Sequence, residues 1–220
     1  MKVALVSEHA SPLAVAGGVD AGGQNVYVAN VARELARLGH SVDVFTRRES
    51  ANEADVHDLG DGVRVIHLRA GPVEPMPKER LLPHMGEFAA NLMRFCEGEL
   101  ARRAGYAVLH ANFFMSGLAA LAVSRALKLP LVTTFHALGR VRRLHQREAD
   151  GFPDERFAIE DRLVRQSDRI VAECEQDRDD LVTLYDGDAS RIAIVPCGFD
   201  ASEFRALAAA KRSREVLRHR

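Results

Sequence analysis

Apolar and polar positions along the chain alternate between two periods. Short apolar runs occur at Val3–Ser7, Ser41–Thr46, Val63–Leu68, Ala107–His110, Leu131–Phe135, Arg169–Ala172 and Arg191–Val195. Runs of this length, rich in β-branched residues, are expected of strands buried on both faces. Between them lie stretches of helical spacing. In Gln24–Leu38, apolar residues fall at Val26, Val28, Ala29, Val31, Ala32, Leu35 and Leu38, and Gly39 follows where a C-capping glycine belongs. Lys78–Ala104 reads as mostly helical. Gly117–Leu127 is a helix stopped before Pro130, and Asp154–Gln166 and Gln176–Tyr185 are two more. Strand and helix alternate along the whole chain. The expected fold is therefore α/β: one Rossmann-like, doubly wound, mostly parallel sheet of about seven strands with helices on both faces.

Composition narrows the function classes. The 220 residues are 47% hydrophobic and 28% charged, with 30 basic against 31 acidic side chains and a net charge of -1. This is a globular composition without the basic excess of a nucleic-acid binder. No apolar run approaches the roughly 18 residues of a membrane span. The opening MKVALVSEHA breaks at Glu8 and reads as a first strand, not a leader. Cys96, Cys174 and Cys197 are odd in number and widely spaced, so they suggest neither a disulfide framework nor a metal site. A reducing cytoplasm is the expected location.

In a doubly wound sheet, ligands lie beyond the carboxyl ends of the strands. That rule singles out the loops Glu8–Gly23, Arg69–Lys78, Ala111–Gly117, His136–Gly151 and Pro196–Ser202. The first contains two glycine pairs, Gly17-Gly18 and Gly22-Gly23, and feeds the first helix, whose N-terminus favours an anion. It is not the dinucleotide fingerprint, because its glycines neither follow the strand directly nor keep the G-x-G-x-x-G spacing. A ligand cradle and a plain surface loop both fit.

Five segments in order resemble one family. They are GGVDAGGQNVYVANVARELARLGHSVDVFTR (Gly17–Arg47), HANFFMSGLAA (His110–Ala120), TTFHALGRVRR (Thr133–Arg143), ERFAIEDRLVRQSDRIVAEC (Glu155–Cys174) and IVPCGFDASEF (Ile194–Phe204). Together they resemble the N-terminal domain of the family-4 retaining glycosyltransferases of GT-B type, in the sucrose-phosphate synthase and inositol-phosphate glycosyltransferase branches. The resemblance covers residues 1–204. Residues 205–220 read as a basic helix or the start of an interdomain linker.

The resemblance implies retaining transfer of a sugar from a nucleotide-activated donor, which is a co-substrate. It implies no tightly bound cofactor and no required metal. The N-terminal domain binds the acceptor, and a C-terminal domain, absent from this chain, binds the donor. The 220 residues alone are therefore expected to be inactive; the rival expectation is a non-catalytic module that binds a sugar phosphate or docks on a partner. Glu79 and Glu87 have the spacing of the family's donor-binding Glu-x7-Glu motif but lie in the wrong domain, so the match reads as chance.

Residue by residue, the resemblance places His136 against the donor sugar near the reacting carbon, as the catalytic candidate. Gly22 and Gly23 are implied to lie near the donor. Gly23, Gln24, Asn25, Lys78, His110 and Arg156 are implied to bind the acceptor, Lys78 and Arg156 by clamping its phosphate. Arg140, Arg142, Arg143 and Arg147 read either as further positive potential on this face or as a solvated loop. His9 is open between a functional role and a local hydrogen bond. Asp20 and Glu8 are the nearest carboxylates, but neither makes a convincing nucleophile. Three positions depart from the inositol-phosphate branch. Phe113 stands for a tyrosine, Ala137 for a hydroxyl residue, and Cys197 for the asparagine of the domain-closing motif. The first two remove hydroxyls that would serve a phosphorylated acceptor.

Overall fold

The computed structural model describes residues 1–14 and 22–198. Gly17, Gly18, Asp20 and the segment 205–220 lie outside the described residues, as do residues 199–204 of the last motif.

Eight strands form one sheet in the order β3-β4-β2-β1-β5-β6-β7-β8. They are β1 Lys2–Val6, β2 Ser41–Arg47, β3 Val56–Gly60, β4 Val63–Leu68, β5 Val108–Asn112, β6 Leu131–Thr134, β7 Arg169–Ala172 and β8 Ile192–Ile194. Every pair is parallel except β3 with β4. Without β3, the order is that of a doubly wound sheet, reversing between β1 and β5, where such folds bind ligands.

The eighth strand adds an antiparallel edge to the expected, mostly parallel sheet of about seven. All five residues of β3 are exposed, so it lacks the apolar run used to find the others. Asp61 and Gly62 join it to β4 with φ of 51° and 85°. These positive angles at both turn positions suit an Asp-Gly hairpin loop.

The helices are α1 Gly23–Arg37, α2 Met85–Ala101, α3 Phe114–Leu127, α4 Gly139–Gln146, α5 Glu155–Gln166 and α6 Glu175–Tyr185. Two differences from the sequence pattern matter. The segment from Lys78 begins with two short 3-10 turns, Lys78–Arg80 and Leu82–His84, and α2 starts only at Met85. Pro83 within the second turn lacks the N–H of a regular helix interior. In addition, part of the expected loop 136–151 is α4.

The pleat sends alternate residues of β1 into two cores. Val3 and Leu5 join Val28 and Ala32 of α1 with Val42, Val44, Val63 and Val65. Ala4 and Val6 join a larger cluster containing Phe45, Phe88, Phe114, Leu163 and Leu181, contributed by β2 and by α2, α3, α5 and α6. Helices pack closely where side chains are smallest: a Cβ on Gly117 of α3 would come within 2.5 Å of Leu163 of α5. The sheet is thus a rigid frame, and its carboxyl edge carries the loops that follow β1, β5, β6 and β7. Among the described residues, no helix is long and apolar enough to cross a membrane.

Candidate functional site

The site gathers where the sheet order reverses. Gln24, in the first turn of α1, spans the two central strands: its Nε2 donates to Ser7 Oγ beyond β1 (3.3 Å) and to the carbonyl of Asn112 at the end of β5 (3.2 Å). Asn112 is buried, and its Nδ2 donates to the carbonyls of Val6 and His110, both at 3.4 Å. Its Oδ1 therefore faces outward, 3.1 Å from Nε2 of His136.

His136 follows β6 with φ of 59°, and Phe113 follows β5 with φ of 84°. A non-glycine residue held at such angles costs roughly 1–3 kcal/mol, so the surrounding structure must over-determine it. Nδ1 of His136 lies 3.1 Å from Glu173 Oε1, just past β7. The ring of Tyr27 from α1 meets the imidazole edge-on at 4.7 Å. Oε1 of Glu173 also accepts from the Cys197 thiol at 3.2 Å. The hydrogen bond from His136 holds the Glu173 carboxyl below its ordinary range, against the opposing effect of burial. Burial, then the carboxylate beside it, pushes the Cys197 thiol up to about 11. A hollow of about 160 Å³ opens beside His136, lined in part by Ala137, Leu138, Glu173, Asp177 and Leu181.

The structure brings His136, Gln24 and Gly22–Gly23 to this one edge. Gly22 and Gly23 are exposed at the start of α1, and among the described residues nothing lies within 4 Å of a Cβ built on either. Asn25 is placed differently from the expectation. It is 7% exposed, its Oδ1 accepts from the N–H of Gly22 (3.0 Å), and its Nδ2 donates to the carbonyl of Ser11 (2.9 Å). It caps the helix and ties the opening loop down. His110 does not end its strand, which runs on to Asn112; its Nε2 lies 2.8 Å from Thr134 Oγ1. Burial, with a smaller effect from His136, lowers its pKa to about 4. It is a neutral structural imidazole beside the site.

The phosphate pair is also changed in character. Lys78 opens a 3-10 turn, not a helix, so it meets no long helix dipole. Arg156 is 1% exposed. Its Nε donates to Glu160 at 2.7 Å, its Nη2 donates to the carbonyl of Ala137, and its guanidinium carbon lies 4.8–5.0 Å from the ring centres of Phe113, Phe114 and Phe152. It is an interior cation, not a surface one. Its Nη1 is buried with no hydrogen-bond partner among the described residues. The Lys78 turn leans on the same neighbourhood: a Cβ on Gly151 would lie 3.2 Å from Glu79 Cγ, next to Phe152.

Several of the other candidates have local partners. Arg140 pairs with Asp161, Arg142 with Asp150, and Arg143 with Asp150 and Asp154, so these three cations are already balanced. Glu8 is fully buried, bonded to His9 (2.8 Å) and to the Ser116 hydroxyl. His9 has the local hydrogen bond. Sequence reasoning missed Glu173, Asn112 and Tyr27. The rule about strand ends would have found Glu173, which directly follows β7, but the turn there is too short to stand out as a loop.

The chain matches the model of Glycosyltransferase Family 4 over residues 21–203. It is 38% identical over 204 residues to a D-inositol 3-phosphate glycosyltransferase of Kineococcus radiotolerans, covering 92% of this chain and 46% of that protein. It is 35% identical over 205 residues to a protein of the same name from Corynebacterium diphtheriae, covering 93% and 47%. Among solved structures, it superposes on sucrose-phosphate synthase from Thermosynechococcus elongatus with a TM-score of 0.85 at 27% identity, covering 97% of this chain and 52% of that one. The chain spans about half the length of the curated relatives it matches. A family match across nearly all the described residues and an eight-stranded doubly wound sheet agree: this chain belongs to glycosyltransferase family 4.

Proposed function

We propose that this chain supplies the acceptor-binding half of a retaining glycosyltransferase that moves a sugar from a nucleotide-activated donor to a sugar phosphate. The observation that carries the reading is the convergence of Gln24, Asn112 and His136 at the sheet's switch point, in a chain of this family. A donor-binding domain, of the size by which the relatives exceed this chain, completes the enzyme. The nucleotide sugar is a co-substrate and not a resident cofactor. Three free cysteines agree with a reducing cytoplasm as the setting.

In this reading, the acceptor lies over the start of α1, against Gly22, Gly23 and Gln24. Its phosphate takes the unpartnered Nη1 of Arg156 and the ammonium of Lys78. A buried donor without a partner is costly, and an anion that accepts from it removes that cost. His136 faces the donor sugar from the next strand end. Closure of the two domains aligns acceptor and donor, and well-oriented groups gain about 7 kcal/mol or more of the barrier. Asn25 and His110 act one step back, holding the opening loop and β6 in place.

Calorimetric titration tests this. Inositol 3-phosphate, fructose 6-phosphate and their unphosphorylated parents are titrated into the wild type, Lys78→Ala and Arg156→Lys. The lysine variant keeps the charge facing Glu160 but loses the planar fork. Phosphorylated ligands should bind at least about tenfold more tightly than the parents, and each variant should lose about tenfold to a hundredfold. Equal binding of phosphorylated and plain sugars would overturn the phosphate reading. Turnover is expected only when a donor-binding domain is present.

A further inference from the structure

Residues 69–77 lead from β4 to the 3-10 turn that Lys78 opens, and they are poor in backbone donors. Pro72, Pro75 and Pro77 have no N–H. Among the described residues, no backbone–backbone hydrogen bond joins residues 72–76 to one another or to the sheet. The start of the segment is fastened by α2: Asn91 Nδ2 donates to the carbonyl of Arg69 (2.8 Å), and the N–H of Gly71 donates to Glu87 Oε2 (2.8 Å). The middle is held from the sheet, by the side chain of Arg47 at the carboxyl end of β2. Its Nη1 donates to the carbonyl of Pro72 at 2.8 Å and to that of Arg48 at 3.3 Å. Its Nη2 donates to the carbonyl of Glu74 at 2.6 Å and to Glu49 Oε1 at 3.1 Å. The N–H groups of both terminal nitrogens thus meet acceptors, and two of those acceptors belong to the loop.

We infer that Arg47 is a positioning residue for Lys78: its guanidinium fixes the middle of the loop and so sets where the Lys78 ammonium stands. The root of the side chain is itself fixed. The backbone N–H of Arg47 donates to the carbonyl of Glu8 (2.9 Å), and Arg47 lies in register with Leu68 at the end of β4. The side chain is 0% exposed, so Arg47 acts through the loop and not on a ligand. Burying a cation is costly unless it is hydrogen-bonded, and the loop supplies two of the acceptors that offset this cost. A planar fork can hold two carbonyls in a fixed relation, which a single ammonium does not do. Glu74 stands four residues before Lys78, and Pro75 and Pro77 lie between them. Their locked φ angles make that connection stiff, so a fixed Glu74 carbonyl constrains Lys78. The use of Lys78 on a phosphate rests on the proposed function; the hold of Arg47 on the loop does not.

The test uses the 220-residue chain labelled with ¹³C-methyl methionine, whose 5 methionines give one methyl signal each. Met76 lies in the loop and packs against the main core, in which Met85 and Met115 are buried; Met76→Leu assigns its signal. In Arg47→Lys and Arg47→Gln, the Met76 methyl should narrow and move toward the position of free methionine. The Met85 and Met115 methyls should stay in place, showing that the fold is intact. Inositol 3-phosphate is then titrated by calorimetry. Arg47→Lys should weaken binding about tenfold, as loss of one charged contact does. Added to Lys78→Ala, it should cost less than about twofold more, because two changes that act through one contact are not additive. An unmoved Met76 methyl overturns the hold of Arg47 on the loop. Unchanged affinity in Arg47→Lys, or full additivity with Lys78→Ala, overturns its role through Lys78. Loss of the core signals in both variants also overturns the inference, since Arg47 would then be a requirement of the whole fold. Wild type that binds inositol 3-phosphate no better than inositol overturns the functional reading, and the role toward Lys78 with it. The methyl spectrum does not depend on ligand, so the two failures are separate results.

Discussion

Nε of Arg156 donates to Oε1 of Glu160 at 2.7 Å, one turn apart on α5, with 1% and 0% of the two side chains exposed. The same carboxylate accepts from the backbone N–H of Gly139 at 2.9 and 3.1 Å and from the Tyr185 hydroxyl at 2.5 Å. It therefore ties α5 to the start of α4 and the end of α6. A helix start that would otherwise attract an external anion is filled by an internal one.

Removing that carboxylate leaves a buried cation uncompensated. Glu160→Ala should lose about 3–5 kcal/mol of stability. Urea unfolding followed by circular dichroism measures it. A loss below about 1 kcal/mol would show that the pair contributes no more than a surface ion pair does.

Gly139 is where α4 approaches the pair most closely. A Cβ there would sit 2.8 Å from Arg156 Nε and 2.9 Å from Glu160 Oε2. Gly139→Ala should therefore cost about 1–3 kcal/mol through overpacking, although alanine is the better helix former. An unchanged or raised melting temperature would contradict the contact.

His110 sets an acid limit. Its folded pKa, about 4, lies below the ordinary 6.5, chiefly through burial. Between those values the unfolded chain binds the proton and the folded chain does not. Stability from this group is complete above pH 6.5 and is lost as pH falls toward 4, by roughly 3 kcal/mol in all. His110→Asn should flatten the fall in melting temperature between pH 6.5 and 4.5. An equally steep fall would move the acid sensitivity to another group.

Cys197 is exposed yet should react slowly. Its pKa of about 11, against an ordinary 9, reduces the thiolate about a hundredfold at neutral pH. Iodoacetamide labelling at pH 7.5, read at this site by peptide mass spectrometry, should be correspondingly slow, and Glu173→Gln should speed it. Fast labelling in the wild type would show that the thiol does not donate to Glu173.

The sequence by itself determined the seven buried strands of the sheet. Buried parallel strands must be short apolar runs, so all seven apolar runs became strands and the spaced apolar positions of α1 became a helix. The position of His136 at a strand end followed from the same pattern. β3 lacked an apolar run because it is an exposed edge, although the Asp61-Gly62 turn signalled it. α4 was hidden because its arginines outnumber its apolar positions, and only the pairing with Asp150, Asp154 and Asp161 reveals why that helix forms. What only the tertiary structure decided was the state of each polar side chain. Arg156 and Glu160 share a helix in the sequence, but their burial under three phenylalanines depends on α3 and the loop after α4. Asn25 turned out to be a cap, His110 a half-buried imidazole bonded to Thr134, and Glu173 the partner of His136. Local pattern reports which residues leave water, because burial is a property of each strand or helix face. It does not report which polar groups meet, because Asn112, His136 and Glu173 come from three strand ends that only sheet order brings together.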